Sequence, residues 1–341
     1  MTSMPKKVKW GIMGAASIAR RRVLPAMKDC ERAEVLAVGS RSLDKAKEFA
    51  NQFSIPKAYG SYEELLADPD VEAIYNPLPN HLHMEWSIRA ASHGKHVLCE
   101  KPLTRNVAEA RLLLKARDEY NVKIGEAFMV RTHPHWLRTV QLVHSGRIGK
   151  LRGAFGFFSF FNVDPANTRN NVECAGGALM DIGCYPVKTT RFVFGEEPLR
   201  VISCVDRDPA FKTDRLTSAI LEYPSGQCIF TASTQMIYYQ RMQFLGTEGR
   251  IDVEIPFNAP TDKPCRIFID DGRDLYAGGS LVTESFPICN QFTIQADLFS
   301  AAIQDNTEVP NPLEDAVANM AVIEALFRSE KSGKWEIPER L

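Results

Sequence analysis

Two charged residues at the end of a short apolar run are the first place in the sequence where residue types point to chemistry. Glu100 and Lys101 follow the apolar residues 97–99, and Pro102 stops the run. This length and punctuation predict a parallel strand flanked by helices. Ligands of open parallel sheets bind beyond the carboxyl ends of the strands, so we expect both side chains at a ligand site. The alternative is a solvated ion pair at a surface strand end. The peptide between Lys101 and Pro102 has access to the cis form.

A second group of chemically capable residues lies in the stretch 176–186, which begins with two glycines. If this stretch is helical, Asp181 and Tyr185 are four residues apart and share one face. Pro186 should kink or restart the helix, so the shared face is not guaranteed. The alternative is a helix that carries a buried polar pair without a function.

The N-terminus carries a dinucleotide-binding pattern. Val8–Met13 is predicted to be a strand, and a tight turn then leads into a helix that ends near Lys28. Gly14, Ala16 and Ala19 fill the three positions of G-x-G-x-x-G/A, so alanine replaces the middle glycine. A plain strand-to-helix turn is the alternative. The residues predicted to hold the pyrophosphate are Gly14, Ala15, Ala16, Ser17 and Ile18.

The end of the next predicted strand, residues 33–38, bears on the choice of cofactor. An acidic residue there would hold the ribose 2′-hydroxyl, but the sequence has Ser40 and Arg41 instead. A hydroxyl and a guanidinium suit a 2′-phosphate, which favours NADP and leaves NAD possible. In the alternative, Ser40 caps the helix Leu43–Phe53 and Arg41 is solvated. The predicted cofactor contacts here are Ser40, Arg41 and Lys45.

A proline-rich loop follows the predicted strand 71–75. Two prolines exclude regular structure there, and a rigid loop at a strand's carboxyl end is placed to wall a nicotinamide. We expect Pro77, Asn80 and His83 to contact the cofactor, with Asn80 or His83 near the substrate. A histidine on the face of the helix 82–93 is the alternative for His83.

The order of predicted elements indicates an α/β protein of two domains. Strands alternate with helices up to about residue 130, which predicts a doubly wound parallel sheet of Rossmann type over residues 1–130. A bridging helix at 133–145 and a series of strands then predict an α+β substrate-binding and dimerisation domain over residues 131–341. Its sheet should be large, open and mostly antiparallel. The strand ranges are 151–163, 200–206, 218–223, 228–234, 241–245, 249–253, 266–270 and 281–285.

Composition excludes several classes of function. The formal net charge is −1, without a run of five or more like charges, which gives no support to binding of nucleic acid or an anionic membrane. Eight cysteines are scattered without a Cys-x-x-Cys pair or a Cys/His cluster at metal spacing, so no metal is predicted. The sequence also lacks the apolar stretch of a signal peptide or a membrane span, which predicts a cytoplasmic protein.

Four stretches together resemble a known family: residues 14–19, 100–102, 131–134 and 176–186. They are similar to the glucose-fructose oxidoreductase/inositol dehydrogenase/rhizopine catabolism (Gfo/Idh/MocA) family, and the resemblance covers nearly the whole chain. Many members carry His where this chain has Tyr185. The tyrosine resembles the branch that contains glucose-fructose oxidoreductase, NADP-dependent D-xylose dehydrogenase and trans-dihydrodiol dehydrogenase.

The resemblance implies hydride transfer between NAD(P) and a ring carbon of a sugar or cyclic polyol. It implies that Lys101 and Tyr185 stand at the reacting hydroxyl with Asp181 beside it, that Glu100 lies on the cofactor side, and that Arg131 and Arg169 line the sugar pocket with Asp181 and Tyr185. The favoured reaction is oxidation of an aldopyranose at C1 to the lactone. The alternatives are a keto-sugar reductase, an inositol or trans-dihydrodiol dehydrogenase, and a non-catalytic NADP-binding regulator.

Phenylalanines crowd the predicted strand 151–163. Alternation places Phe155, Phe157 and Ser159 on one face and Phe158 and Phe160 on the other, so both faces require cover. The family resemblance implies that a second subunit covers one of them, which gives a homodimer or a dimer of dimers. Cover by loops of the same chain is the alternative.

Overall fold

The computed structural model describes residues 6–273 and 280–340, and the chain divides into two compact units. The first contains Met1–Met129 and Asn290–Val317, and the second contains Val130–Cys289 and Ala318–Leu341. The chain first passes from the first unit to the second between Met129 and Val130. The segment Asn290–Val317 differs from the expectation, because it groups with the first unit although the sequence analysis assigned it to the second domain.

The first unit is built on a six-stranded sheet in the order β3-β2-β1-β4-β5-β6, and every strand pair in it is parallel. The predicted doubly wound sheet is therefore confirmed. The short strand β3 was not assigned a range from the sequence, because three half-buried residues give no periodic signal. The strands are β1 Val8–Met13, β2 Ala33–Gly39, β3 Lys57–Tyr59, β4 Ala73–Asn76, β5 His96–Glu100 and β6 Ile124–Ala127.

Several helices of the first unit begin at side-chain caps. Ser42 accepts a hydrogen bond from the Lys45 amide, and Asn106 Oδ1 accepts one from the Glu109 amide at 2.8 Å. The helices are α1 Leu24–Met27, which follows a π-helical turn at Ala19–Val23, then α2 Leu43–Phe53, α3 Tyr62–Ala67, α4 Asn80–Ser92, α5 Val107–Glu119 and α8 Gln291–Gln304. Helices α1 and α4 begin without a side-chain cap.

Helix α8 belongs to the first unit because it covers the start of the parallel sheet. Trp10 of β1 is fully buried, and its indole nitrogen donates a hydrogen bond to Ser300 Oγ at 3.1 Å. The Trp10 ring also packs on Phe299, with ring centroids 5.6 Å apart. On the neighbouring helix α1, the Ala26 carbonyl accepts a hydrogen bond from Thr293. The aromatic and polar contacts of Trp10 thus depend on residues far along the chain.

The second unit contains an eight-stranded sheet in the order β14-β13-β12-β11-β7-β10-β9-β8. Only β7 and β10 pair in parallel, so the prediction of a mostly antiparallel sheet is confirmed. The strands are β7 Leu151–Phe161, β8 Arg200–Arg207, β9 Asp214–Glu222, β10 Gln227–Ser233, β11 Gln235–Gly246, β12 Arg250–Val253, β13 Cys265–Asp270 and β14 Val282–Phe286.

Helices α6 and α7 accompany this sheet. The predicted bridging helix is α6, Pro134–His144, with His133 as its N-terminal cap. Helix α7, Cys184–Phe194, continues a π-helical turn at Leu179–Gly183. The last helix, α9, spans Leu313–Ser332. Among the described residues, none of the helices has both the length and the apolar character needed to cross a membrane.

The sheet of the second unit has one buried face and one exposed face around β7. Phe158 is buried, whereas Phe155 is 45% exposed and Phe161 is 66% exposed. On the neighbouring strands β10 and β11, Ile229 and Ile237 are also exposed. The alternation expected for β7 is therefore present, and the exposed apolar side is left without cover by the described residues of the chain.

Candidate active site

A tight turn at Gly14 joins β1 to the first helical turn. Gly14 has φ +91°, and its amide donates a 2.7 Å hydrogen bond to the Gly39 carbonyl. A Cβ at this position would lie 3.1 Å from the Leu78 side chain, so the turn requires glycine for both conformation and space. Ala15, Ala16 and Ile18 are half-buried and Ser17 is exposed, which leaves the backbone of the turn accessible.

The end of β2 places Ser40 and Arg41 as the sequence suggested. The Ser40 amide donates to the Tyr59 carbonyl at 3.1 Å, and its side chain is mostly buried. Ser42, not Ser40, caps α2, so the alternative role for Ser40 is wrong. Arg41 and Lys45 are exposed. The positive charge of Arg41 also opposes the rise that burial causes in the pKa of Tyr62.

The proline-rich loop is held by His83, whose ring is fully buried. Its Nδ1 lies 3.0 Å from the Pro102 carbonyl oxygen, and its Nε2 lies 2.6 Å from that of Leu78. Burial lowers the pKa of His83 to about 4, so the ring is neutral near pH 7. His83 therefore ties the proline-rich loop to the segment after Lys101. This differs from the expected cofactor contact, because the ring has no exposed surface.

Pro77 and Asn80 lie on either side of the short turn that starts α4. Pro77 is buried, and Asn80 is half-buried as the first residue of the helix. The turn is braced from below by Asn76, whose side-chain nitrogen donates to Ser87 Oγ at 3.1 Å and to the His83 carbonyl at 3.2 Å. Asn80 and His81 are therefore the half-buried polar residues at this turn, whereas Asn76 and His83 are fully buried.

Glu100 and Lys101 end β5 in an arrangement unlike a solvated ion pair. Tyr75 donates its hydroxyl to Glu100 Oε1 at 2.5 Å, and the Lys101 amide donates to Glu100 Oε2 at 3.2 Å. Desolvation raises the pKa of Glu100, while the positive charge of Lys101 opposes that rise. The Lys101–Pro102 peptide is cis, as the sequence allowed. The next amide, that of Leu103, donates to buried Glu126 at 3.0 Å, a carboxylate that the sequence analysis did not single out.

In the second unit, Asp181 lies in the π-helical turn and is paired with Arg169. The Arg169 Nε donates to Asp181 Oδ2 at 2.6 Å, and the exposed fractions of the two side chains are 44% and 12%. Arg169 also lies 6.0 Å from the centre of the Phe160 ring. The structure thus brings together two residues that the family resemblance assigned to the sugar pocket.

Tyr185 follows Asp181 on α7 and is nearly buried. Its ring packs edge-on against Phe158, with centroids 5.5 Å apart, and lies 5.2 Å from the ring of Phe257. Pro186 has no amide to donate to the Ile182 carbonyl four residues earlier. The helix changes from π to α geometry between Gly183 and Cys184, within this same turn. The expected restart at Pro186 therefore takes the form of a π-helical turn.

Asp214 is a positioning residue that the sequence analysis missed. Its Oδ2 accepts hydrogen bonds from the Leu179 amide at 2.6 Å and from Thr217 at 3.0 Å, at the start of the helix that carries Asp181. Burial raises the pKa of Asp214 to about 6. Gly177 has φ +116°, and a Cβ there would lie 1.9 Å from Asp214 Oδ1. The Gly176–Gly177 pair was the available signal, because it marks a close approach of some other group.

Arg131 lies on a different segment from Arg169 and Asp181. It lies in a 3₁₀ turn at Met129–Thr132, and its guanidinium stacks 4.3 Å from the centre of the Phe192 ring. Phe192 is on α7, so Arg131 packs against the same helix as Tyr185. Its contact with a sugar stays a prediction.

Two family profiles match the sequence. Residues 8–128 match one described as an oxidoreductase family with an NAD-binding Rossmann fold, and residues 136–252 match the Gfo/Idh/MocA C-terminal domain. An uncharacterized oxidoreductase of Rhizobium meliloti is 44% identical over 96% of this chain and 98% of its own length. The chain belongs to the Gfo/Idh/MocA oxidoreductase family. This confirms the resemblance, the enzyme class and the nicotinamide cofactor that the sequence predicted.

Two further Gfo/Idh/MocA proteins carry more specific names. A D-xylose 1-dehydrogenase (NADP(+)) of Haloferax volcanii is 36% identical over 95% of this chain and 98% of its own. A 3-ketoreductase from Actinomadura kijaniata, solved in complex with NADP and TDP-benzene, superposes with a TM-score of 0.88. It shares 28% identity, and the match covers 95% of this chain and 98% of that one.

The first unit of this Gfo/Idh/MocA protein fits a nicotinamide dinucleotide. A pyrophosphate can approach the turn closely only if no side chain stands in its way. Gly14 has no side chain, and a Cβ there would lie 3.1 Å from the Leu78 side chain. The half-exposed Ala16 replaces the middle glycine with the smallest side chain that L-residues offer. Just after β2, the exposed Arg41 would offer a guanidinium to a 2′-phosphate.

Proposed function

We propose that this protein is an NADP-dependent dehydrogenase that oxidises an aldopyranose, such as D-xylose or D-glucose, at C1 to the lactone. The observation that carries the proposal is the group in the second unit where the Asp181–Arg169 ion pair precedes Tyr185 on one helix. Such a group offers charged hydrogen-bonding partners for sugar hydroxyls and a phenol that can exchange a proton. The similarity to the D-xylose 1-dehydrogenase of Haloferax volcanii supports an aldose substrate.

Oxidation of the hydroxyl requires removal of its proton as hydride leaves the ring carbon. Bound NADP would accept the hydride. We propose that Tyr185, as the tyrosinate, accepts this proton on its phenolic oxygen. Its ring is held by packing on Phe158 and Phe257. A tyrosine with an ordinary pKa of about 10 is a poor base near pH 7, so a cation that favours the tyrosinate is needed. We assign Lys101 to this proton-handling role, with Glu100 on the cofactor side.

In this proposal, Asp181 binds the substrate and does not relay the proton. Its carboxylate already accepts the 2.6 Å hydrogen bond from Arg169, which fixes the guanidinium and leaves part of it exposed. A fixed guanidinium presents several donors in one plane, which suits recognition of adjacent sugar hydroxyls. We therefore assign Arg169 and Asp181 to substrate binding, and Arg131 more distantly through its stacking on Phe192.

Two measurements test the function. The first is a spectrophotometric screen with NADP and NAD across aldoses, inositols and dihydrodiols, together with reduction of keto-sugars by NADPH. The second is the kinetics of Tyr185→Phe, which keeps the ring but removes the exchangeable proton. We expect kcat to fall about a hundred- to ten-thousandfold, with little change in NADP affinity. Lys101→Met should do similar damage and shift the pH dependence of kcat/KM upward.

Tyr223→Phe is the matched control. Tyr223 is also buried in the second unit, and its hydroxyl contacts Thr190 of α7 at 2.9 Å. Loss of that hydroxyl should lower thermal stability and leave turnover nearly unchanged. Wild-type turnover in Tyr185→Phe would remove the catalytic assignment of Tyr185, whereas NADP binding without turnover of any substrate by the wild type would favour a non-catalytic NADP-binding regulator.

Reduction of a keto-sugar is the second candidate reaction. It is favoured by the likeness to the Actinomadura kijaniata 3-ketoreductase, which extends over nearly the whole chain. The same residues would serve it in reverse, with Tyr185 as the proton donor. Turnover of keto-sugars with NADPH, and none of aldoses with NADP, would replace the first proposal by this one.

We also propose that the protein is a homodimer, or a dimer of dimers, through the exposed face of the eight-stranded sheet. Exposed apolar area of this extent on one face is typical of protein interfaces.

Light scattering at micromolar concentration should give at least a dimer mass, and Ile237→Lys combined with Phe161→Lys should give a monomer. Leu137→Lys is the control, since Leu137 is 51% exposed on α6 and lies outside this face. A monomeric wild type would contradict the proposal. The residues on this face are Phe155, Phe161, Ile229, Ile237 and Tyr239.

A further inference from the structure

Four side chains that bind soft metal ions lie together in the second unit. His133 and His135 flank the start of α6, Cys265 begins β13, and Cys289 follows β14. A ligand atom from each of His133, His135 and Cys265 lies within 4.8 Å of the others. His133 Nε2 is 3.3 Å from Cys289 Sγ and 4.0 Å from Cys265 Sγ. The sequence offered no metal spacing because the cysteines follow His133 by 132 and 156 residues.

The surroundings of these residues are closed and mostly apolar. His133, His135 and Cys265 are buried, whereas Cys289 is half-buried and gives the group a side open to solvent. The rings of Trp136 and Phe286 lie 5.8 Å and 6.3 Å from that of His135. A metal ion bound here would be screened from water on most sides and reached past Cys289.

His135 is the observation that calls for a ligand. Its ring is 1% exposed, yet neither nitrogen has a hydrogen-bond partner of acceptable geometry. The Pro256 carbonyl accepts a 2.7 Å hydrogen bond from the Trp136 indole, and it does not meet the geometry of a hydrogen bond with either nitrogen of His135. Leaving a buried polar group unsatisfied is costly, and native proteins rarely do so without a reason. Coordination of one ring nitrogen to a metal ion supplies a partner.

We propose that His133, His135, Cys265 and Cys289 form a tetrahedral site for Zn²⁺. Two thiolates and two imidazoles are a ligand set typical of structural zinc, and soft sulfur ligands disfavour Mg²⁺ and Ca²⁺. Bond lengths of about 2.0–2.3 Å place tetrahedral ligand atoms about 3.3–3.8 Å apart. The ligand atoms of His133, His135 and Cys265 therefore have to close in by about 1 Å, and Cys289, whose Sγ already lies 3.3 Å from His133 Nε2, supplies the fourth ligand.

Charge and protons balance in this site. Binding of Zn²⁺ releases the two thiol protons to solvent, and the two thiolates neutralise the charge of the ion, which permits its burial. His133 Nδ1 accepts a 3.3 Å hydrogen bond from the His135 amide, so the proton of the neutral ring lies on Nε2. Coordination through Nε2 moves that proton to Nδ1 and costs this long N-cap bond. All four positions are filled by protein, so the site is structural and independent of the proposed redox reaction.

Titration of the full-length protein with Co²⁺ tests the site. The protein is stripped with a chelator and kept under a phosphine reductant, and Co²⁺ then reports thiolate ligation by a charge-transfer band and tetrahedral geometry by intense visible bands. We expect one equivalent per chain, displacement by Zn²⁺, and a rise in the melting temperature with added Zn²⁺.

Cys289→Ser is the variant of choice, because its side chain is half-buried and its loss should not prevent folding. It should weaken Co²⁺ binding by more than the ten- to hundredfold that the loss of an outer-shell partner costs, and reduce the charge-transfer band. Cys204→Ser is the matched control, since Cys204 is an exposed thiol of the same unit on β8, and it should bind as the wild type does.

Three results would overturn the proposal. One is a wild-type titration without a thiolate-to-cobalt band. Another is equal Co²⁺ affinity in Cys289→Ser and Cys204→Ser. The third is a Cys265–Cys289 disulfide that persists in the folded protein under the reductant, because that bond would remove both thiolates.

Discussion

The cofactor side of the first unit and the Asp181–Tyr185 helix of the second unit are positioned in different ways. Gly14, Ser40 and Lys101 each follow a parallel strand directly, so their places result from the residues beside them in the chain. Asp181 and Tyr185 lie on a helix whose start is fixed by Asp214, a residue from a strand further along. The first arrangement results mainly from neighbouring residues and the second from contacts between distant segments, so substitutions around Asp214 should affect the second arrangement and not the first.

Gly177→Ala should have the largest effect. Its Cβ would lie 1.9 Å from Asp214 Oδ1, at a φ of +116° that disfavours a side chain. We expect a loss of about 2–5 kcal/mol in the free energy of unfolding, with turnover of the folded fraction reduced because the helix start shifts. Urea unfolding and steady-state kinetics measure the two effects.

Gly146→Ala is the control for Gly177→Ala. Gly146 also has positive φ, but a Cβ there meets nothing within 4 Å. It should cost only the conformational part, about 1–2 kcal/mol, and leave turnover unchanged. Equal losses in the two variants would mean that the close approach of Asp214 does not hold the helix.

Asp214→Asn tests the same link through pH. The pKa of Asp214 is raised from 3.8 to about 6, so the folded state binds its proton more tightly than the unfolded state does. The resulting stability is fully present below about pH 4 and is lost as the pH rises through about 6. Asparagine does not titrate. The wild type should therefore lose about 3 kcal/mol relative to Asp214→Asn between pH 4 and pH 7.

Urea unfolding of both proteins at several pH values measures this difference. Parallel stability curves for Asp214→Asn and the wild type would show that Asp214 ionises as freely in the folded protein as in the unfolded chain. The position of the helix start would then have to be explained by Gly176 and Gly177 alone.

Arg41→Ala probes the locally encoded side and should have the smallest effect. Loss of a charge-assisted contact to the 2′-phosphate should weaken NADP about ten- to hundredfold and leave NAD nearly unchanged. Folding should be unaffected, because Arg41 is exposed. Titration of both cofactors measures the change. Lys47→Ala, an exposed cation on α2, is the control, and equal weakening of NADP and NAD by Arg41→Ala would sink the assignment.

The sequence predicted the parts of the molecule that depend on neighbouring residues. The strands β1 and β5, the cis-permissive Lys101–Pro102 step and the helix restart near Pro186 were all expected and are present. Each depends on periodicity or proline chemistry within a few residues. The cofactor motif at Gly14 and the helix that carries Asp181 and Tyr185 both lie in such stretches.

Side-chain environment could not be predicted in the same way. The burial of His83 against two carbonyls, the pairing of Asp181 with Arg169 and the cap from Asp214 all depend on which distant segments meet. Histidine, aspartate and arginine have the same local signature in a binding site and in a structural network. The Cys/His group was missed for the same reason, because its four members belong to three separate segments.

Helix α8 has a consequence for how the protein is made. A ribosome that has released residues up to Met129 has produced the whole parallel sheet but neither Phe299 nor Ser300, the partners of Trp10. The entire second unit up to Cys289 is synthesised before that cover arrives. The nascent first unit therefore carries an exposed indole throughout that interval, and a gene fragment that stops near codon 130 encodes an incomplete cofactor-binding unit.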